Sequence, residues 1–350
     1  MHPILVKVPF LHLTIWSFGA MVVLGVLVAL LVTRRMCRST GLDPEVISNA
    51  AMYSLIIGMV GARMFFVVHY YDQFRGDFAG VFAIWRGGLE FLGGAIPAIV
   101  FMLFYLRFRK LPVRRYFDIL AVGLMLGLSF GRIGCFLNGC CFGKPTDLPW
   151  GVRFPYRSYA YLSQINADPK RHRAHAYLDL PRAEYASFYD EDGRWYPKPL
   201  AELTSQQRHE VTEGKYRCLA IHPTQLYAWA NALLMSAILY GFWRKSCCEP
   251  DTGTPQHRFW RPGLTVALAF LLYGVTRPVL ESLRDDNPFE FASLTISQIA
   301  GIFLFAFGVV LLAAHIFGCA AADGGHPQTS LGNDKSRTDA ESKADPQRLT

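Results

Sequence analysis

Charged and nucleophilic side chains lie where an apolar chain should exclude them. Residues 131–143 read GRIGCFLNGCCFG and put Arg132 near the end of an apolar run long enough to cross a bilayer. An ionisable group at that depth costs roughly 2.5–3.5 kcal/mol on insertion scales, so it marks a functional site by default. The glycines at 131, 134, 139 and 143 let backbone approach a bulky ligand, and Asn138 both donates and accepts hydrogen bonds. A small-residue packing face with an outward-snorkelling arginine is the competing reading. Further on, YGVTRPVLESLRDD sets Arg277, Glu281 and Arg284 at i, i+4 and i+7, one face of a helix. IHPTQLY supplies His222, Gln225 and Tyr227, and GARMFF supplies Arg63. Clustered guanidinium groups suit a phosphate, which arginine holds through paired hydrogen bonds. Within a bilayer leaflet, that phosphate is a phospholipid headgroup. Glu281 also fits a structural pair with Arg277 or Arg284, and His222 with Pro223 fits a plain helix start.

The elements that position these groups are membrane helices. The chain has 350 residues, 52% of them hydrophobic, with a mean hydropathy of +0.21. Its apolar residues fall in seven blocks near 11–33, 46–68, 89–106, 117–137, 223–243, 263–283 and 293–317. Each approaches the roughly 20 residues that a hydrocarbon core requires. The expectation is an all-α, polytopic seven-helix bundle, with the first block a retained anchor and the third interrupted by Gly87-Gly88 and Gly93-Gly94.

Arginine and lysine orient the bundle: Arg34, Arg35 and Arg38 follow block one, and Arg107, Arg109, Lys110, Arg114 and Arg115 follow block three. Arg244, Lys245, Arg258 and Arg261 separate blocks five and six. By the positive-inside rule these loops are cytoplasmic, the N-terminus lies outside and the C-terminus inside. The net charge of +8 is mostly topology and carries no nucleic-acid footprint. In this orientation Arg63, Arg132, His222, Arg277, Glu281 and Arg284 all converge on the outer leaflet.

The chain divides into helices one to four with the glycine-rich signature (1–143), an insertion (144–221), helices five to seven (222–318) and a polar tail (319–350). The insertion, rich in tyrosine, proline and mixed charge, is too long for a connector and predicts an extracytoplasmic cap. The tail has no aromatic residue and is expected to be disordered. The eight cysteines do not form a disulfide framework. Cys37, Cys247 and Cys248 fall on the reduced side, and Cys135, Cys140, Cys141 and Cys218 on the side where pairing is possible. A metal site on Cys135, Cys140 and Cys141 lacks a partner at finger-like spacing, so no metal is expected.

GRIGCFLNGCCFG resembles the signature of bacterial prolipoprotein diacylglyceryl transferases. IHPTQLY resembles that family's HPxQLYE segment, and YGVTRPVLESLR its YGxxRFxxExxR segment. GARMFFVV and WRGGLEFLGG fit two more, all in family order. The resemblance implies a seven-helix enzyme of the bacterial inner membrane whose cavity opens to the outer leaflet. It implies transfer of the diacylglyceryl group of phosphatidylglycerol to the lipobox cysteine of a prolipoprotein. Glycerol 1-phosphate is released, in the first step of lipoprotein maturation, with no cofactor. Carried over by motif position, the catalytic arginines fall on Arg132 and Arg277, the supporting glutamate on Glu281, and the functional glycine on Gly143.

Four positions depart from the family pattern. Cys135 stands where asparagine is frequent, Cys140 where glutamate is, and Phe18 where a tyrosine is. Leu92 replaces a histidine favoured as base for the substrate thiol. The arginines themselves can stabilise a thiolate, and His222 is the remaining candidate base. Arg63, Asn138, Gly143, Gln225, Tyr227 and Arg284 are expected to bind substrate with Arg132. The departures leave two alternatives: a non-catalytic phospholipid-binding membrane protein, or a lipid transporter.

Overall fold

Long apolar runs satisfy their backbone groups internally as helices, and the computed structural model of the chain is built from them. It describes residues 4–8, 13–76, 78–83, 88, 90–190, 193–248, 262–291 and 293–323. Helix α1 spans Ser17–Ser39 and α2 spans Pro44–His69; α2 starts with proline in its first turn and with the Asp43 carboxylate accepting from the Glu45 amide. A short α3, Phe78–Phe82, precedes α4, Phe91–Phe108, and α5, Val113–Asn138. Gly139 ends α5 in the left-handed region, at φ +79°. The cap carries α6 (Tyr159–Ile165), α7 (Arg182–Tyr185) and α8 (Ser205–Thr212). After it come α9 (Thr224–Cys248), α10 (Leu264–Ser282) and α11 (Ile296–Asp323).

Six of these helices are long and apolar enough to span a membrane: α1, α2, α5, α9, α10 and α11. The third block forms a helix too, but its apolar part, Gly93–Phe108, is shorter, as its glycine-rich start foreshadowed. Two short antiparallel hairpins accompany the helices. Strands β1 (Ile4–Val8) and β2 (Leu13–Trp16) pair antiparallel, so the first helix begins at Ser17 rather than near residue 11. In the cap, β3 (Ala186–Tyr189) pairs with β4 (Trp195–Pro197). Helix α11 also runs past Cys319, where the polar tail was expected to begin. Residues 324–350, Arg258 and Arg261 lie outside the described residues, as do Trp85, Arg86, Gly87, Leu89 and the side chain of Leu92.

Helix α1 packs on α5, α5 on α9, α2 on α4 and α10 on α11. Small residues permit the closest approaches. A Cβ at Gly61 would stand 2.5 Å from the Gly93 carbonyl, and one at Gly274 would stand 2.6 Å from Phe305. A core of Met36, Ile47, Leu106, Tyr116, Ile119, Leu239 and Trp243 fills the end of the bundle remote from the cap. There Asp118 of α5 accepts from the Gly263 and Val266 amides at 2.6 and 2.9 Å, covering the unpaired donors at the start of α10. The outward faces stay apolar: Leu31 is 69% exposed, Phe104 64% and Phe303 72%, as lipid contact requires.

The cap has its own core, in which Trp195, Tyr161, Ile165, Val211 and Cys218 pack with Phe142 of the signature segment. Asn166 closes it, donating to the Trp195 carbonyl and accepting from its amide, both at 3.0 Å. The cap is joined to the end of α10 by backbone bonds from Lys144 to Leu283 (2.9 Å) and from Asp285 to Phe142 (3.1 Å). Asp285 also pairs with Arg173 at 2.9 Å and Arg171 at 3.4 Å. Burial pushes its carboxyl above the ordinary range, against the opposing pull of Arg173 and Arg171.

Candidate active site

Helix α5 ends, α9 begins and α10 ends beside the cap, so their polar residues meet at one end of the bundle. Arg132 on α5 and Arg277 on α10 line the same narrow cleft, walled by Ala228, Asn231, Met235, Tyr273 and Thr276. The cleft has room for little more than one water, ≈ 10 Å³. Asn231 of α9 donates to the Thr276 hydroxyl at 3.1 Å, fixing α9 against α10 along this wall.

The arginine face read from helical spacing is assembled on Glu281, whose side chain is fully buried. One carboxylate oxygen accepts from Arg277 and from Arg284, each at 3.1 Å, and the other accepts from the Asn287 amide. Arg277 also donates to the Ser297 hydroxyl of α11 at 2.8 Å. Arg284 makes a two-pronged pair with Asp286, at 2.9 and 2.8 Å, so its charge is met on both sides. Arg132 differs from both: among the described residues it has no carboxylate partner, and its polar neighbour is the Cys141 sulfur at 3.8 Å.

The signature loop that follows Arg132 is held by the start of α9. Gln225, almost wholly buried, donates to the Cys140 carbonyl at 2.8 Å, and the Thr224 hydroxyl donates to the Cys141 carbonyl at 2.7 Å. Cys141 sits at φ +58°, a conformation a non-glycine residue keeps only when its surroundings enforce it. Gly143 lies under His222, where a Cβ would stand 2.5 Å from the His222 carbonyl, so its lack of a side chain is a packing requirement. Tyr227 accepts from the Trp150 indole at 2.7 Å and stands 3.5 Å from His222 Nδ1. Asn138 is the last residue of α5, half-buried beside this loop.

Arg63 is drawn into a different cluster. Its guanidinium donates to the carbonyls of Gly80 (2.6 Å), Val81 (2.9 Å) and Gly88 (2.9 Å), and it lies over the rings of Phe66 and Phe74. These contacts hold the segment around α3 against α2. Nearby, His69 Nδ1 meets Glu90 at 2.7 Å.

The three cysteines weighed from the sequence as a metal site come together in space. The turn after Gly139 folds Cys140 and Cys141 back onto Cys135, and their three sulfurs lie within 4.8 Å of one another. Asn231, Thr276, Ser297, Asp286 and Asn287 also belong to the site. Asn231 in mid-span and the RDDN run after α10 were the available signals for them.

A second pocket, ≈ 260 Å³, opens between the cap and the signature loop. Cys140, Cys141 and Phe142 form one side, and cap residues including Tyr159, Arg173 and Tyr196 the other.

The sequence model of the family described as prolipoprotein diacylglyceryl transferase matches residues 3–314. The chain belongs to this family. The phosphatidylglycerol–prolipoprotein diacylglyceryl transferase of Methylococcus capsulatus is 30% identical over 319 residues, which cover 88% of this chain and 94% of that one. The protein of the same name from Chloroflexus aggregans is 33% identical over 270 residues, 77% and 72% of the two chains. That of Synechococcus elongatus is 26% identical over 298 residues, 85% and 82%. With its apolar helices, a member of the diacylglyceryl transferase family is a multi-pass membrane protein. Neither the transporter nor the non-catalytic reading is favoured by these matches.

Proposed function

We propose that the chain transfers the diacylglyceryl group of phosphatidylglycerol to the lipobox cysteine of prolipoproteins, releasing glycerol 1-phosphate. The observation that carries the site assignment is Arg132, a cation without a carboxylate partner among the described residues, facing the cleft that Arg277 also lines. The lipid phosphate supplies the missing counter-charge, and the two guanidiniums grip it from α5 and α10. Glu281 orients Arg277, and Arg284 with Asp286 keeps Glu281 in place. In this reading Arg63, which holds the α3 segment, supports the fold beside the lipid rather than gripping phosphate.

The chemistry is one displacement at carbon. The substrate thiolate attacks the carbon of the diacylglyceryl group that bears the phosphate. The carbon–oxygen bond breaks, a carbon–sulfur bond forms, and the thiol proton ends on glycerol phosphate or solvent. Arg132 and Arg277 stabilise the negative charge that grows on the departing phosphate oxygen, the effect that usually contributes most. They also favour the thiolate, whose ordinary pKa is about 8.5. His222 stands at the rim as the candidate base, with Tyr227 beside it.

The two cavities supply the two substrates. The helix cleft, too small for a headgroup as it stands, must widen between α5 and α10 to admit the lipid phosphate, and the lipobox peptide approaches through the cap pocket. They meet at Arg132. In cells the cap faces outward from the bacterial inner membrane, with the N-terminus outside and the C-terminus in the cytoplasm. The test is complementation of a strain depleted of its own transferase. Growth with lipid-modified lipoproteins supports the reading, and lack of rescue by well-expressed, membrane-inserted protein contradicts it.

A further inference from the structure

Cys135, Cys140 and Cys141 have no part in the reaction as derived, yet they form the tightest cluster of soft ligands among the described residues. We propose that they constitute a three-thiolate site for monovalent copper, and that the filled site blocks transfer at Arg132. Four observations carry this. With metal–sulfur bonds of about 2.3 Å, a trigonal site needs sulfurs about 4.0 Å apart. Cys135 and Cys141 already stand at 3.9 Å, and all three sulfurs lie within 4.8 Å.

The site is also preorganised. Cys135 is buried in α5, and Gly139 turns the chain so that the Cys140 amide bonds to the Cys135 carbonyl at 3.2 Å. Gln225 and Thr224 fix the carbonyls of Cys140 and Cys141. Little ordering remains to be done when an ion arrives.

Ligand number and type select the ion. The group contains no fourth histidine, cysteine or carboxylate among the described residues. Zinc prefers four ligands, whereas thiolates in low number suit soft monovalent copper. Access is provided by the 260 Å³ pocket, whose wall includes Cys140 and Cys141.

Binding converts one copper(I) ion and three thiols into a copper tristhiolate and three protons. The product carries two negative charges. It forms where Cys141 lies 3.8 Å from Arg132, so it satisfies the cation that the lipid phosphate needs. The inhibition rests on the transferase reading; the binding does not.

The test titrates copper(I) anaerobically into the purified full chain in detergent against a chromogenic copper(I) chelator. Wild type should retain one copper per chain more than a Cys135→Ser/Cys140→Ser/Cys141→Ser variant, and Cys218→Ser should match wild type. X-ray absorption of the bound ion should show three sulfurs. Equal retention by wild type and the triple variant overturns the site. If the triple variant misfolds, Cys141→Ser alone should show weakened retention, and unchanged affinity there overturns the site equally. With copper bound, the wild-type KM for phosphatidylglycerol should rise about tenfold or more, the loss of one hydrogen bond to a charged group. An unchanged KM at full copper occupancy overturns the inhibition. Absence of transfer by metal-free protein instead refutes the transferase reading and leaves the copper-retention result standing.

Discussion

Glu281→Gln isolates the positioning of Arg277 from its charge. The glutamate is fully buried and meets Arg277 and Arg284 at 3.1 Å each. At an effective dielectric of about 20, each pair carries a gross attraction of about 5 kcal/mol, much of it offset by desolvation. Removing one partner of a buried pair costs about 3–5 kcal/mol. Arg284 keeps Asp286 at 2.9 and 2.8 Å, so the loss falls on Arg277, whose remaining hydrogen bond among the described residues is to the Ser297 hydroxyl at 2.8 Å. Glutamine preserves the shape, and both arginines keep their charge. A guanidinium displaced by about 1 Å is enough to lower turnover about 100-fold. The assay is transfer to a lipobox peptide followed by mass spectrometry, with kcat and KM separated and thermal unfolding in detergent measured on the same sample. The expectation is a loss of about 100-fold in kcat/KM, with kcat reduced, in protein that still folds. Wild-type kcat/KM in the variant would refute the positioning role. A lowered melting temperature with kcat unchanged would make Glu281 purely structural.

Arg277→Lys should recover little of the activity lost in Arg277→Ala, because an ammonium cannot present the planar fork that bridges Glu281 and a phosphate; near-normal kcat/KM in the lysine variant would contradict this. Asp285→Ala leaves Arg171 and Arg173 buried without their shared carboxylate, so the cap should loosen from α10 by about 3–5 kcal/mol, read as faster hydrogen exchange at 163–173. Burial pushes the Cys218 thiol up to about 11, so at pH 8 about one in a thousand is ionised. Iodoacetamide should therefore label Cys218 far more slowly than a free thiol, with the rate rising as pH approaches 11; rapid labelling in the folded protein would contradict that.

Much of this site was legible because helical spacing is a strong constraint. Arg277, Glu281 and Arg284 could be set on one face from their numbers alone, and the Glu281 contacts follow from that face. The apolar blocks likewise located the membrane helices to within a few residues. Hydropathy places the start of α1 too early, because LTIW is as apolar as a helix start and the pairing with residues 4–8 leaves no trace in it. Depth alone groups Arg63 with the other arginines, but depth says nothing about which neighbours face a side chain. The carbonyls of Gly80, Val81 and Gly88 come to it only through the turn between α2 and α4. The three cysteines can be named together from the sequence, but not how closely their sulfurs approach. Positions 135, 140 and 141 match no metal-binding spacing until the left-handed Gly139 reverses the chain. The cap core was not legible either, because Trp195, Tyr161 and Val211 sit in short elements with no sustained periodicity.

In the proposed reaction Arg132 and Arg277 hold the phosphate of a lipid whose diacylglyceryl group moves to a cysteine thiol. The most direct measurement supplies purified protein with phosphatidylglycerol and a lipobox peptide, and follows both the peptide mass and the release of glycerol phosphate. Wild type should yield a peptide heavier by one diacylglyceryl group on sulfur, with one glycerol phosphate released per modification. Folded Arg132→Ala should yield neither product. An unmodified cysteine with wild-type protein, or full modification by Arg132→Ala, would rule out this role for the two arginines.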